Sequence, residues 1–296
     1  MILSQHLAWG MIMKALCIAA VLALTPLHQA WAWGQEGHSI VAEIAQRRLS
    51  PAAADAVNRL LEKASMASIA SWADDVRTSR KKTNNWHFAD IPIAEDKFDR
   101  TRDCKPDPDN GDCIVAELER LRNDLRCAAT DDTKKEALQF AVHFVGDIHQ
   151  PLHTVDEQGG GNGIDVLIFM RGRTSDKGKL ALESSNLHTV WDELLISRLE
   201  WAWGSFVTRL ERGWLKSSDA AKPGIDGGMP TAWVEETHKK AQEIWAMTPA
   251  NHILDDDYLT KATPIVERQL GVAGLRLARF LNEAYGSDQC PVPALP

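Results

Sequence analysis

Two segments of this chain repeat one spacing. His143 is followed four residues on by Asp147, and His188 by Asp192, each within a run whose apolar residues recur at helical intervals. On an α-helix, residues i and i+4 share a face one turn apart, so each pair sets an imidazole beside a carboxylate. The spacing has that meaning only on a helix, and it ties both segments to a helical fold. One such pair is ordinarily a surface histidine bonded to its neighbour. Two of them suggest paired ligands for an ion.

The surrounding pattern agrees. Ile40, Val41, Ile44, Ala45 and Leu49 follow helical periodicity, and Ser50-Pro51 supplies a cap and a first-turn proline for a second helix to Leu61. Further helical stretches are predicted around 66–78, 113–128, 133–150, 188–212, 231–246 and 258–285. The exception runs from Gly159 to about Glu183, where Gly159-Gly160-Gly161-Asn162-Gly163 leads into Val166-Leu167-Ile168-Phe169 and one β-hairpin is expected. The fold class is mainly α: a single multi-helix domain over 33–296 with one small β-hairpin. With 296 residues, 44% of them hydrophobic, the chain can bury a full-sized core.

Lys14, the apolar run Ala15 to Leu24, Pro26 and Ala30-Trp31-Ala32 read as a secretory signal over residues 1–32, although Met13 would serve equally as the start. The run is half the roughly twenty residues that span a bilayer, so no membrane anchor is expected. Cleavage leaves Trp33 first and removes Cys17. Cys104, Cys113, Cys127 and Cys290 remain, an even set in a chain bound for an oxidising compartment, and two disulfides are expected. Of the three possible pairings, Cys104 with Cys113 suits a local closure across two prolines and a glycine, and Cys127 with Cys290 would then tether the C-terminus. Asp107, Asp109 and Gly111 inside that loop are out of register for a calcium site and read as solvated. No Asn-x-Ser/Thr sequon follows residue 32, which fits a bacterial periplasmic or secreted protein. With Lys14 gone, 32 of the 33 Lys and Arg face 41 Asp and Glu, a formal charge of −9 that disfavours a broad duplex-binding groove.

Eight histidines remain after cleavage, and five of them, His38, His87, His143, His153 and His188, sit in short segments that also carry aspartate. Pro151 ends or kinks the helix of His143 and lets His153 address an adjacent ion. Ser71-Trp72-Ala73-Asp74 and Trp86-His87-Phe88 add a carboxylate and an imidazole, each beside a tryptophan that can hold it still. Imidazole nitrogen mixed with carboxylate oxygen, without cysteine, suits zinc in an exposed catalytic site, whereas magnesium favours oxygen alone. His149, about 120° round an ideal helix from His143, is read as structural. His238 and His252 are given no role, and Asp255-Asp256-Asp257 read as a loop or helix cap.

Trp33-Gly34-x-x-Gly37-His38, Ser71-Trp72-Ala73-Asp74, Trp86-His87-Phe88-Ala89-Asp90, His143-Phe144-Val145-Gly146-Asp147-Ile148-His149-Gln150-Pro151-Leu152-His153 and Asn186-Leu187-His188-x-x-Trp191-Asp192 together resemble, in content and order, the single-strand-specific zinc nucleases first known from moulds, the S1/P1 family. The resemblance implies the phospholipase C/nuclease fold and a three-zinc site. Asp74, His87, His143 and Asp147 would hold one ion, His153, His188 and Asp192 a second, and Trp33, His38 and Asp147 the third. Trp33 would bind through its α-amino nitrogen and carbonyl oxygen, so signal removal and activation would be one event. Asp74, Arg77 and Asp147 would be catalytic, with Arg77 offsetting charge on the phosphorane and the departing 3′ oxygen. Phe88 and Asp90 would bind substrate, stacking a base and hydrogen-bonding its edge, which requires an unpaired base. The expected partners are single-stranded DNA and RNA and 3′-nucleotides, cut to 5′-phosphate products by a monomer with no stable membrane association.

Two other readings compete. A zinc phospholipase C shares the fold and an N-terminal tryptophan ligand, but uses glutamate where Asp192 stands and lacks the Phe88/Asp90 pair. A zinc-stabilised extracellular protein without turnover would sooner use cysteine ligands. The thirty-four residues between His153 and His188 exceed the compact form expected of the family. The tip of this longer hairpin would border the active site and set access to it.

Overall fold

Helix α1 (Gln35–Gln46) buries Ile40, Val41, Ile44 and Ala45 on one stripe and brings His38 inward with them. In the computed structural model, which describes residues 33–174, 180–286 and 290, Ser50 then caps α2 (Pro51–Leu61) by accepting from the Ala53 amide at 3.3 Å. Residues 1–32, read as a signal, and the hairpin tip at 175–179 lie outside the described residues. The 66–78 stretch divides into a 3₁₀ turn at Ala67–Ile69 and α3 (Trp72–Arg77). A second 3₁₀ turn, Lys81–His87, ends on a predicted ligand. Helix α4 (Ile114–Cys127) packs against α5 (Asp131–Asp147), which Thr130 caps through the Thr133 amide.

After Asp147 the chain turns. Gln150 adopts extended backbone before Pro151, and Pro151–Thr154 forms a 3₁₀ turn that re-aims His153. Gly159, Gly160 and Gly161 all have positive φ, which other residues adopt only with strain, and they coil the chain into the sheet. Strand β1 (Asp165–Thr174) pairs antiparallel with β2 (Leu180–Asn186) in the register Val166↔Ser185 and Ile168↔Glu183. The expected hairpin therefore forms, but a third strand joins it. Ile253–Leu254, β3, lies parallel to β1 in the order β2-β1-β3, and two residues carry no periodicity from which to foresee it.

The predicted helix over 188–212 is broken. Leu187–Thr189, a π-helical turn at Val190–Leu194 and Leu195–Leu199 form one run, α6. Glu200 and Ala202 are extended, Trp201 is 84% exposed, and α7 (Trp203–Arg212) begins afresh. Apolar spacing continues across the break from Ile196 to Phe206, so the pattern does not reveal it. Helix α8 (Pro230–Met247) lies over the turn of His153. The long α9 (Asp256–Tyr285), capped by Asp255, runs through the core against α1, α4 and α5. Cys104 bonds Cys113 and Cys127 bonds Cys290, with Cα atoms 4.9 Å and 5.6 Å apart. Among the described residues no helix is long and apolar enough to cross a membrane.

Contact between α1 and α9 depends on a missing side chain. A Cβ at Gly274 would stand 2.4 Å from Ile44 Cγ2 and 2.6 Å from its Cβ, so the helices would have to part. Gly274→Ala is expected to destabilise the fold by about 1–3 kcal/mol, read as a lower urea midpoint at unchanged slope.

Candidate metal centre and base pocket

The eight side-chain ligands predicted from sequence come from six elements, and all are buried. His38 lies on α1, Asp74 on α3, His87 at the end of the Lys81–His87 turn, His143 and Asp147 on α5, His153 on the turn after Pro151, and His188 and Asp192 on α6. They fall into three groups whose ligand atoms lie within 4.8 Å of one another: His38, His143 and Asp147; Asp74, His87 and His143; His153, His188 and Asp192.

Asp147 stands between the first two groups. Its Oδ1 is 3.2 Å from His38 Nε2, and its Oδ2 is 3.0 Å from His87 Nδ1 and 3.2 Å from His143 Nε2. Asp74 Oδ1 lies 3.6 Å from both His87 Nδ1 and His143 Nε2. The His38 ring stacks on His143 at 3.9 Å between centroids. That approach needs Gly146, where a Cβ would meet His38 Nδ1 at 2.7 Å. Trp33 flanks the same glycine, fully buried, and the Gly34 amide next to it donates to the Asp192 carbonyl at 2.9 Å.

Backbone carbonyls fix the imidazoles. His143 Nδ1 donates to Ala70 O at 2.7 Å, His153 Nδ1 to His87 O at 2.8 Å, and His188 Nδ1 to Gly160 O at 2.7 Å, tautomers assigned from these bonds. Each bond turns Nε2 inward, the arrangement by which proteins orient metal-binding histidines. Asp192 accepts from the Gln150 amide and lies 3.4 Å from His188 Nε2.

The residues fit a metal by a second criterion. His38 Nε2, Asp147 Oδ1, His153 Nε2 and His188 Nε2 are buried without a hydrogen-bond partner, the 3.2 Å between the first two being misaligned for one. Buried polar atoms are ordinarily satisfied, and two orphans in the His38–His143–Asp147 group with two more in the His153–His188–Asp192 group are what donor sets for cations look like.

Electrostatics split the ligands. Burial holds His38 and His87 down at about 4 and His188 at about 3, in the neutral form that binds metals. Burial opposes charge on His143 as well, but Asp147 and Asp74 override it and raise it to about 9, while His143 in turn holds Asp147 well below the usual carboxylate range. Burial pushes Asp192 well above that range.

Arg77, three residues beyond Asp74, donates to Asn84 O at 3.1 Å. Burial draws its guanidinium down, and Asp74 and Asp147 oppose the shift. Phe88 and Asp90 follow His87 into a pocket of about 180 Å³, lined also by Asn85, Arg102, Asp103, Lys105 and the Cys104–Cys113 disulfide. Partial burial, then Asp156 and Asp103, push the Asp90 carboxyl up to about 6, although the residue still presents an open surface to solvent.

Several supporting residues escape sequence reasoning. Gln150 lies inside a recognised motif, but nothing local marks it as the partner of Asp192. The carbonyls of Ala70 and Gly160 have no sequence signal at all. His149 stands apart from the ligands, as expected: it donates to Val145 O at 2.7 Å and accepts from Arg276 at 3.0 Å. His238, given no role from sequence, is buried and donates to Thr154 O at 2.6 Å, bracing the turn of His153. His252 is exposed and contacts Asp165 O at 2.9 Å.

Comparison with known proteins yields one family. The family model described as S1/P1 Nuclease matches residues 33–286. Endonuclease 2 of Arabidopsis thaliana is 30% identical over 286 residues, covering 86% of this chain and 91% of that protein. Nuclease S1 of Aspergillus oryzae is 28% identical over 292 residues, covering 89% and 95%. Nuclease P1 of Penicillium citrinum is 29% identical over 286 residues, covering 86% and 99%.

The orphaned donors predict linkage between metal and stability. Zinc at saturation is expected to raise the melting temperature by on the order of 10 °C, and a chelator to reverse it, in scanning calorimetry. Gly146→Ala, which displaces His38, should shrink that gain.

Proposed function

This chain belongs to the S1/P1 nuclease family, and on that footing we propose that it is an exported zinc-dependent endonuclease that cuts single-stranded DNA and RNA to 5′-phosphate products and also releases phosphate from 3′-nucleotides. The observation that carries the reading is the buried Asp147 carboxylate, whose Oδ1 reaches His38 and whose Oδ2 reaches His87 and His143, together with the unpartnered Nε2 atoms of His38, His153 and His188. Three zinc ions are proposed: on Asp74, His87, His143 and Asp147; on His153, His188 and Asp192; and on Trp33, His38 and Asp147. When bound, zinc supplies Lewis acidity, lowering the pKa of water from 15.7 to about 7 and offsetting phosphate charge.

The chain's own residues do the rest. Asp147 holds two groups at a fixed separation, so a phosphate arriving there meets a preorganised site. Trp33 contributes its α-amino nitrogen only after residues 1–32 are removed, because in the precursor that nitrogen is an amide. Arg77, anchored on Asn84, brings a cation to the edge of the cluster to offset charge developing on the phosphoryl oxygens. No histidine is required as base, and no ribose 2′-hydroxyl takes part, so DNA and RNA are equivalent at the reacting centre. Phe88 stacks the neighbouring base and Asp90 accepts from its edge. A paired base offers neither its free face nor that edge, which accounts for single-strand preference.

Asp147→Asn is expected to abolish cleavage and lower the zinc content of the purified protein. Arg77→Lys should retain zinc but lose about 10²-fold in kcat on a single-stranded oligonucleotide. With the Asp90 carboxyl at about 6, its acceptor form is lost as pH falls through that value. KM should therefore rise from pH 7 to pH 5 in the natural enzyme more than in Asp90→Asn, compared by initial rates at fixed zinc.

A further inference from the structure

The pocket beside Phe88 carries two unneutralised charges. Asp90 and Lys105 both line it, yet neither makes a hydrogen bond or ion pair among the described residues. The other charged groups there are committed: Arg102 Nε donates to Asp103 Oδ1 at 2.6 Å, Arg102 Nη1 reaches Glu95 at 2.9 Å, and Asp103 also accepts from the Asp99 amide at 2.7 Å. Lys105 is held at the pocket by its neighbours. Cys104 is bonded to Cys113, and the next residue, Ile114, donates its amide to Phe88 O at 3.1 Å. The loop is tied down again where Asn85 N donates to Asn110 O at 3.0 Å. Lysine, stacking ring and carboxylate thus belong to one frame.

An acceptor and a donor that face one pocket without neutralising each other suit a ligand edge that offers donors to one and an acceptor to the other. The four bases differ on this point. Guanine presents N1–H and N2–H side by side, matching both oxygens of one carboxylate, with O6 and N7 as acceptors beyond them. Adenine and cytosine each place an acceptor nitrogen beside their amino group, where it would face the carboxylate. Uracil and thymine flank a single N–H with two carbonyls, which the carboxylate repels.

We infer that this pocket selects guanine as the base next to the scissile bond, with Asp90 accepting from N1–H and N2–H and Lys105 donating to O6. The inference rests on the reading of Phe88 and Asp90 as a base pocket in a nuclease and adds Lys105 as a specificity-determining residue. A site built around charge-assisted hydrogen bonds discriminates against analogues that lack the matching groups.

The test compares kcat/KM for GpA, IpA, ApA, UpA and CpA, using protein processed to Trp33 and loaded with zinc. Hypoxanthine in IpA lacks only the N2 amino group. GpA should exceed IpA about tenfold and ApA about a hundredfold. Lys105→Met should narrow the GpA/ApA ratio at least about fivefold, Lys105→Arg should keep it, and Asp90→Asn should bring GpA/IpA towards one. Calorimetric binding of 5′-GMP, 5′-IMP and 5′-AMP should fall in that order. Comparable cleavage of all five dinucleotides, or a guanine preference untouched by Lys105→Met, overturns the inference and leaves the nuclease reading standing. Cleavage of none by the zinc-loaded protein overturns that reading and the inference with it.

Discussion

A carboxylate with no access to water must be surrounded by groups that compensate its charge, and Asp147 imposes that requirement on everything around it. Placing an unpaired ion in a protein interior costs several kcal/mol even after relaxation. Here three imidazoles from α1, α5 and the Lys81–His87 turn meet the two oxygens within 3.2 Å. Helix packing serves that meeting. Gly146 leaves room for the His38 ring, and Gly274 lets α9 press on α1 at Ile44 so that α1 is held where His38 can reach. The glycines are thus as much a part of the site as the histidines, because each removes a side chain that would force a ligand helix away.

The second layer couples the parts of the site. His87 takes part in the Asp147 cluster through Nδ1, and its carbonyl accepts from His153, which belongs to the other group. The Ala89 amide donates to the His153 carbonyl at 2.9 Å, and Phe88 and Asp90 stand on either side of that residue. A displacement of residues 87–90 would therefore disturb both ligand groups and the pocket together. Rigid placement of this kind is what a site needs when little of its chemistry is supplied by proton transfer from side chains.

How much of this was legible in the sequence follows from the range of each interaction. His143 with Asp147 and His188 with Asp192 are local pairs, fixed by helix geometry alone, and the turn after Pro151 follows from proline sterics. The hairpin was visible in its glycine run and β-branched residues. Other features depend on partners far along the chain. Gln150 finds Asp192 across 42 residues, Gly160 finds His188 across 28, and β3 exists only because β1 offers it an edge. Trp201 interrupts α6 and α7 without disturbing the apolar period. Lys105 is an ordinary surface lysine until the disulfide and the Ile114 amide bring its loop to the pocket that Asp90 also lines.

The acidic charge of the chain takes on a different meaning once the ligand groups are assembled. Three bound zinc ions would bring +6 to a cluster holding the three carboxylates of Asp74, Asp147 and Asp192, leaving it about +3 before Arg77 is counted. Fields between exposed charges fade over roughly 8–10 Å at physiological salt, whereas those in a buried site are screened far less. A rigid duplex lying along the surface would meet the acidic exterior over its whole length. A single strand can bend one phosphate inward to the cluster and lay one base against Phe88, keeping the rest of its charge in solvent. On the proposed reading, selection for unpaired substrate would come from charge geometry as well as from stacking, and a net negative protein would be better suited to it than a basic one.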